Sequence, residues 1–243
     1  MSAPPSLDPW RRFRAATPAR IGLGRSGDAL PTKALLQLQA DHARARDAVH
    51  GAVDFAGLAE QLAPLPVLCV HSRAPDRSTY LRRPDLGRRL DEGTVLPAGG
   101  WDIVFVIADG LSAGAVSRHA AATVAACIAR LPGWRIGPVV LAEQARVALG
   151  DEIGERMDAG LVALLVGERP GLSVADSLGI YLTYGPRVGR SDAERNCISN
   201  IHPAGLSVEQ AAAKLAWLAI QSRALGLSGV GLKEDATALP PSA

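Results

Sequence analysis

The chain has 243 residues, of which 48% are hydrophobic and 21% are charged, a composition that indicates a globular protein and excludes a disordered or fibrous one. The net charge of +2 is too small to indicate nucleic-acid binding, and no apolar run approaches the ~20 residues of a membrane span. The cysteines Cys69, Cys127 and Cys197 are far apart, which favours a reducing, cytoplasmic compartment over a disulfide framework.

The amino-terminal residues 1–20 are rich in proline and arginine. They lack the apolar segment of a secretory signal. We expect them to form a flexible, poorly ordered arm.

The next segment, residues 21–65, predicts a small helical appendage. Within it, residues 32–50 have the spacing of one helix, in which Leu35 and Leu38 share an inward face while Asp41 stays in water. A second short helix follows and is expected to end before two closely spaced prolines.

Apolar segments alternate with helical patterns from residue 66 onward, which predicts an α/β fold. The expected strands are 66–72, 101–110, 137–144, 160–167 and 180–185, and the expected helices are 112–131, 150–159 and the segment from the Ser207–Gln210 capping box to Gly226. Such apolar strands favour a mostly parallel sheet with helices on both faces. Residues 233–243 are expected to be a loose tail.

Polar side chains follow several of the expected strands. In an open parallel sheet, ligands usually lie beyond the carboxyl ends of the strands. The segment LLVGERPGLS ends a buried strand with Glu168 and Arg169, which is typical of a ligand-binding edge. The alternatives are that these two residues are surface charges or contact another subunit. In residues 190–203, a short capped helix is expected to leave Cys197 and His202 near the same edge.

Three motifs in the sequence suggest a function but do not establish one. GLGRSG at residues 22–27 matches a dinucleotide-binding pattern, but no apolar strand precedes it, so a glycine-rich loop is favoured. Cys197 and His202 are close in sequence, but the spacing does not show that their side chains meet. The basic segment between Arg82 and Arg89 lacks interleaved aromatic residues, which favours an interface or a solvated loop over nucleic-acid binding.

Six segments of the chain nevertheless resemble one known family in order. They are RIGLGRSGDALPT, ADHARARDAVH, YLRRPDLGRRL, VIADGLS, LLVGERPGLS and RNCISNIHP. Together they resemble the small subunit of ethanolamine ammonia-lyase over residues 17–232, and GERPG and NCISNIH are the most specific stretches. Some relatives carry a longer amino-terminal extension associated with packaging into a bacterial microcompartment, so packaging of this chain is left open.

The resemblance implies an adenosylcobalamin-dependent lyase that converts ethanolamine to acetaldehyde and ammonia. In such enzymes, homolysis of the cobalt–carbon bond yields an adenosyl radical that removes a hydrogen atom from the substrate. A TIM-barrel large subunit holds the substrate, while the small subunit covers the cofactor with a Rossmann-like domain, here expected over residues 66–232. The chain is therefore expected to act in a hetero-oligomer with the large subunit, without catalytic residues of its own and without nucleic-acid or membrane partners.

The resemblance also implies three cofactor-binding residues: Val147, Glu168 and Cys197. We find no Asp-x-His-x-x-Gly stretch, which agrees with the family pattern in which the cofactor's own base stays on cobalt. No side chain is expected to ligate a metal. Two other hypotheses stay open from the residues alone: a nucleotide-dependent oxidoreductase that uses GLGRSG, and a non-catalytic interaction module that uses the alanine-rich helices and the basic segment.

Overall fold

The computed structural model describes residues 8–17 and 19–233. They form an α/β structure in which six strands make one sheet. The strands are β1 Val67–His71, β2 Trp101–Ala108, β3 Val139–Glu143, β4 Ala159–Gly167, β5 Leu178–Tyr184 and β6 Arg195–Ile201. The helices are α1 Arg11–Ala16, α2 Thr32–His50, α3 Phe55–Leu62, α4 Arg77–Arg82, α5 Ala113–Ala129, α6 Leu149–Arg156 and α7 Val208–Leu225.

The sheet is mixed, with the strand order β1-β3-β2-β4-β5-β6. Strands β1 to β4 are mutually parallel, whereas β5 is antiparallel to β4 and β6 is antiparallel to β5. The predicted α/β class is confirmed, but the Rossmann-like, mostly parallel sheet is not. Residues 168–177 join β4 to β5 without a helix, and a parallel connection needs a crossover of about a dozen residues or more.

Two hydrophobic clusters lie on opposite faces of the sheet, because successive strand residues point to opposite sides. Phe105 of β2 belongs to the cluster that includes residues of α5 and α7. Its neighbours Val104 and Val106 belong to the other cluster, together with Leu149 and Ile153 of α6. Helix α6 is short, so it leaves part of its face of the sheet free.

Local capping signals in the sequence set the ends of the last helix. The Ser207 side chain accepts a hydrogen bond from the Gln210 N–H, and the Gln210 side chain accepts one from the Ser207 N–H. Gly226 ends the helix at φ 69°, a left-handed conformation that glycine adopts without steric cost. The predicted capping box and stop are both confirmed.

The predicted inward face of α2 is correct in part: Leu38 is half-buried, but Leu35 is exposed and Asp41, which was expected to stay in water, is buried. Asp41 is the buried residue of this helix, at 4% exposure, whereas Leu35 is 41% exposed. The Asp41 carboxylate forms ion pairs with Arg20 and Arg44. Because Arg20 also donates to the Leu172 carbonyl at 3.3 Å, the acid is covered by the segment that precedes the helix.

Part of the amino-terminal arm is helical, which the sequence did not predict. In α1, the Arg14 side chain donates to the Gly22 carbonyl at 2.8 Å, and the rings of Trp10 and Phe13 lie 6.0 Å apart. The predicted loose tail lies outside the described residues from 234 onward, as do residues 1–7 and 18 of the arm. The division into arm, appendage, sheet domain and tail stays a prediction.

No helix in the described ranges combines the length and the apolar content that a membrane span needs.

Candidate functional site

A cleft of about 950 Å³ opens at the carboxyl edge of strands β2 and β4, next to the amino end of α6. We call it the edge cleft. The lining side chains come from the segments that follow β1, β2, β3 and β4, from β5, and from the segment before β6 together with the first residue of β6. They include Arg88, Leu111, Arg146, Val147, Asp151, Glu168, Arg169, Tyr181, Arg190 and Arg195.

The backbone at this edge is packed tightly. Gly110 follows β2 with φ 59°. A Cβ atom at this position would collide with the carbonyl oxygen of Gly167 at the end of β4. Glycine is therefore needed to let the two strand ends approach each other and to place Glu168 beside the loop after β2.

Val147 lies in the loop between β3 and α6, and Asp109 holds this loop in place. Its carboxylate accepts the N–H groups of Gln144 at 3.1 Å and Ala145 at 3.0 Å. Gln144 has φ 51°, so this turn is strained as well as clamped. The turn delivers Val147 to the edge cleft, where it is half-buried against the apolar cluster that includes α6.

Burial raises the pKa of Asp109, although the backbone N–H groups and Arg77 act in the opposite direction. Arg77 lies 3.2 Å from the carboxylate and also donates to the carbonyl of Val49 at 2.6 and 2.8 Å. This arginine therefore links the end of α2 to the loop that carries Val147.

Glu168 is fixed by groups from the antiparallel part of the sheet. Its Oε2 accepts from the Ser177 hydroxyl at 2.5 Å and from the Asn200 N–H at 3.3 Å. The Glu168 N–H donates to the Ser177 carbonyl at 2.9 Å. Both side-chain bonds use the same carboxylate oxygen, and the half-buried side chain lines the edge cleft.

Cys197 does not lie in a loop, as the sequence predicted, but within β6, directly opposite Tyr181 of β5. The residue lines a smaller depression together with residues of α7. Tyr181 is the cross-strand partner of Cys197, and Tyr181 itself lines the edge cleft. The structure therefore brings Val147 and Glu168 into one cleft and places Cys197 beside it, with Tyr181 between them.

The thiol and the phenol at this boundary are both neutral near pH 7. Desolvation of the sulfur raises the pKa of the Cys197 thiol, although the residue as a whole is exposed, and the negative charge of Glu168 adds to that effect. Burial also raises the pKa of Tyr181, to about 12. A neutral thiol is a weak nucleophile, so Cys197 is better suited to packing and hydrogen bonding than to covalent chemistry.

A buried ion pair forms one wall of the edge cleft. Arg195 at the start of β6 pairs with Asp151 of α6, and both side chains are at most 3% exposed. Burial raises the pKa of Asp151 to about 6, while Arg195 acts in the opposite direction. Sequence patterns missed this wall because β6 was not predicted, so nothing linked Arg195 to α6.

The remaining sequence candidates have local structural roles. His202 bonds to Asn200 Oδ1 at 2.8 Å within its own turn. The glycines of residues 22–27 form a loop, and every described strand follows Pro66, so the dinucleotide motif lacks its strand. The arginines of the basic segment have different surroundings: Arg83 pairs with Asp85, Arg89 pairs with Glu152, and Arg88 lines the edge cleft. In residues 8–17 and 19–233 no group of three or more His, Cys, Asp or Glu residues is arranged to hold a metal.

Unpaired polar atoms indicate what the edge cleft can hold. Within the described residues, Arg146 Nε and Arg195 Nε are buried donors without an acceptor. Val147 and the Tyr181 ring add apolar surface, and Glu168 adds an acceptor. Fold and cleft together define an α/β protein with an open cleft of mixed apolar and polar lining at the edge of its sheet.

Comparisons with known proteins identify the family. Residues 7–233 match the family model described as ethanolamine ammonia-lyase light chain (EutC). The ethanolamine ammonia-lyase small subunit of Rhodopseudomonas palustris is 56% identical over 95% of this chain and 92% of its own length. The same-named proteins of Xanthomonas campestris pv. campestris and Ralstonia nicotianae are 53% and 52% identical, over 97% and 94% of this chain and 92% and 89% of their own lengths.

The chain therefore belongs to the ethanolamine ammonia-lyase light-chain family. It is part of a lyase, and a small subunit implies a complex with a larger partner subunit.

Proposed function

We propose that this chain covers adenosylcobalamin in the assembled lyase, while the large subunit holds ethanolamine and the complex releases acetaldehyde and ammonia. The observation that carries the proposal is the edge cleft, which Val147 and Glu168 line together. Cys197, the third expected contact, is the cross-strand partner of Tyr181, which lines the cleft.

The chemistry of the edge cleft suits a corrin. A corrin is a flat apolar ring edged with amide side chains, so a binding surface needs apolar contact together with scattered hydrogen-bonding groups. Val147 and the Tyr181 ring offer the apolar contact. Glu168 can accept from amide N–H groups, and the buried Nε–H group of Arg195 can donate to an amide oxygen.

The residues of this chain bind and orient, and none of them is assigned a chemical step. Ser177 and the Asn200 N–H fix the Glu168 carboxylate, while Asp109 fixes the loop that carries Val147. When bound, adenosylcobalamin supplies the radical chemistry, and the protein supplies position and shielding from water. Cytoplasmic location is part of the proposal, and packaging in a microcompartment stays open.

Reconstitution tests the proposal. The purified chain is mixed with the large subunit, adenosylcobalamin and ethanolamine, and acetaldehyde is measured with a coupled dehydrogenase. We expect turnover only when both subunits and the cofactor are present. Full turnover by the large subunit alone would overturn the proposal, as would unchanged cobalamin affinity of the large subunit after addition of this chain.

A further inference from the structure

The arginines of the edge cleft exceed what the proposed corrin contacts require. Six arginines and three carboxylates line the cleft. Arg88 and Arg169 are exposed there, and the structure gives neither guanidinium an ion pair with any residue in the described ranges. Two unpaired guanidinium groups in one cleft attract an anion.

Two further arginines of the cleft have a buried donor without an acceptor. Arg195 is only 2% exposed and pairs with Asp151 and Asp192 through its terminal nitrogens, but its Nε has no partner among the described residues. Arg146 donates from Nη2 to the Tyr80 carbonyl at 3.0 Å, and its Nε is likewise unpaired. Buried donors are nearly always satisfied in folded proteins, so an acceptor at either nitrogen would be favourable. Of the two, Arg146 lies beside Arg88, because its backbone N–H donates to the Gly87 carbonyl at 2.8 Å.

From these groups we infer that Arg88, Arg146 and Arg169 bind the phosphodiester in the nucleotide arm of cobalamin. The inference deepens the proposed function and depends on it. The amide arms of the corrin are neutral, whereas the phosphodiester carries a full negative charge with several acceptor oxygens. Guanidinium groups match that geometry because they offer planar, paired donors.

A comparison of two cofactor forms tests the inference in the assembled complex. Adenosylcobinamide keeps the corrin and the adenosyl group but lacks the phosphodiester and the nucleotide base. We expect Arg169→Ala and Arg88→Ala each to weaken adenosylcobalamin binding about tenfold, as expected for loss of one charged contact. Adenosylcobinamide binding should stay unchanged, because the group that the arginine recognises is missing from it.

Arg46→Ala is the matched control. This arginine lies on α2 with 70% of its side chain exposed, away from the edge cleft, and its substitution should change neither affinity. Inorganic phosphate distinguishes the source of the anion: it should compete with adenosylcobalamin at the site and leave adenosylcobinamide binding unaffected. Competition against both forms would place free phosphate elsewhere on the complex and count against the inference.

Two outcomes overturn the inference without touching the proposed function. One is an equal loss of affinity for both cofactor forms in the arginine variants, which would assign the arginines to the corrin. The other is weaker assembly with the large subunit at unchanged cofactor affinity, which would assign them to a partner carboxylate. If the unsubstituted complex binds neither form, the proposed function itself fails.

Discussion

Glu168 receives its position from three parts of the sheet. It follows β4, its carboxylate accepts from Ser177 just before β5, and the same oxygen accepts from the Asn200 N–H in β6. This arrangement fixes a partly buried carboxylate without neutralising it with an arginine or lysine among the described residues. A carboxylate held in one orientation binds most strongly those ligands whose N–H groups point toward its oxygens.

Removal of this carboxylate should weaken the cofactor contact. We expect Glu168→Ala to lower cobalamin affinity of the complex roughly 10- to 100-fold, because a hydrogen bond to a charged group is worth about 1.5–3 kcal/mol. Equilibrium binding is the measurement, and circular dichroism should show a retained fold. Glu143→Ala, an exposed acid at the end of β3, is the control. Equal affinity in the two variants would remove Glu168 from the site.

Glu152 has a structural role on the other side of α6. Burial raises its pKa, but hydrogen bonds from the Leu90 N–H and Arg89 and the charge of Arg156 outweigh that effect, so the pKa lies below its usual 4.5. A lowered pKa means that the ionised form stabilises the fold above the unfolded pKa, and that this stability is lost as the pH falls through the folded pKa.

Replacement of Glu152 should therefore lower the free energy of unfolding more near neutral pH than in acid. We expect Glu152→Gln to lower the free energy of unfolding by about 2 kcal/mol at pH 7, because it removes one partner of a buried ion-pair cluster whose arginines are partly exposed. Urea titrations should show the difference from the unsubstituted chain shrinking below pH 4.5. Glu60→Gln, at an exposed position in α3, should show no such trend; a pH-independent loss at Glu152 would contradict the assignment.

At the scale of elements, the short connections decide the shape of the site. The β4–β5 and β5–β6 connections contain no α-helix, so the chain turns back on itself and adds two antiparallel strands to a parallel sheet. Because α6 covers little of this face, the β5 strand with Tyr181 and the adjoining β6 are left beside an open cleft.

The capping box of α7 gives a test at this scale. Ser207→Ala should cost about 1 kcal/mol of stability, because the Gln210 N–H loses its acceptor at the start of the helix. Chemical denaturation measures the change. Thr32→Ala is the matched control, since Thr32 begins α2 where no side-chain cap is formed. An unchanged midpoint for Ser207→Ala would show that the cap contributes nothing to the fold.

At the scale of the whole molecule, the sheet separates its three thiols. Cys69 is exposed on β1 at one edge of the sheet, and Cys197 is exposed on β6 at the other edge. Cys127 is buried in α5, where burial raises its pKa to about 12. The reaction rates of Cys69 and Cys197 with one thiol reagent therefore compare the accessibility of the two edges of the sheet.

Cofactor binding should protect the thiol at the β6 edge of the sheet from alkylation, but not the thiol at the β1 edge. In the assembled complex, we expect adenosylcobalamin to slow alkylation of Cys197 by iodoacetamide and to leave the rate at Cys69 unchanged. Peptide mass spectrometry measures both rates in one sample. If Cys197 reacts equally fast with and without the cofactor, this residue does not contact it.

Much of the fold was predictable because strand and helix patterns are local. Five of the six strands and the long helices follow from hydrophobic periodicity, as the agreement at β4 and α7 illustrates. Strand β6 was missed because it is an edge strand: Cys197, Ser199 and Asn200 are exposed, and its sequence RNCISNI lacks an apolar run. The burial of Asp41 in α2 was missed because a buried acid with two arginine partners has no signature in spacing alone.

The sequence by itself determined the α/β class, the helix ends and the position of Glu168 and Val147 after buried strands, since these depend on neighbours along the chain. Only the tertiary structure decided that β5 and β6 run antiparallel, that Tyr181 stands between Glu168 and Cys197, and that Arg195 pairs with Asp151. The reason is physical: ion pairs, strand pairing and unsatisfied donors depend on distances between segments far apart in sequence, and no local pattern encodes those distances.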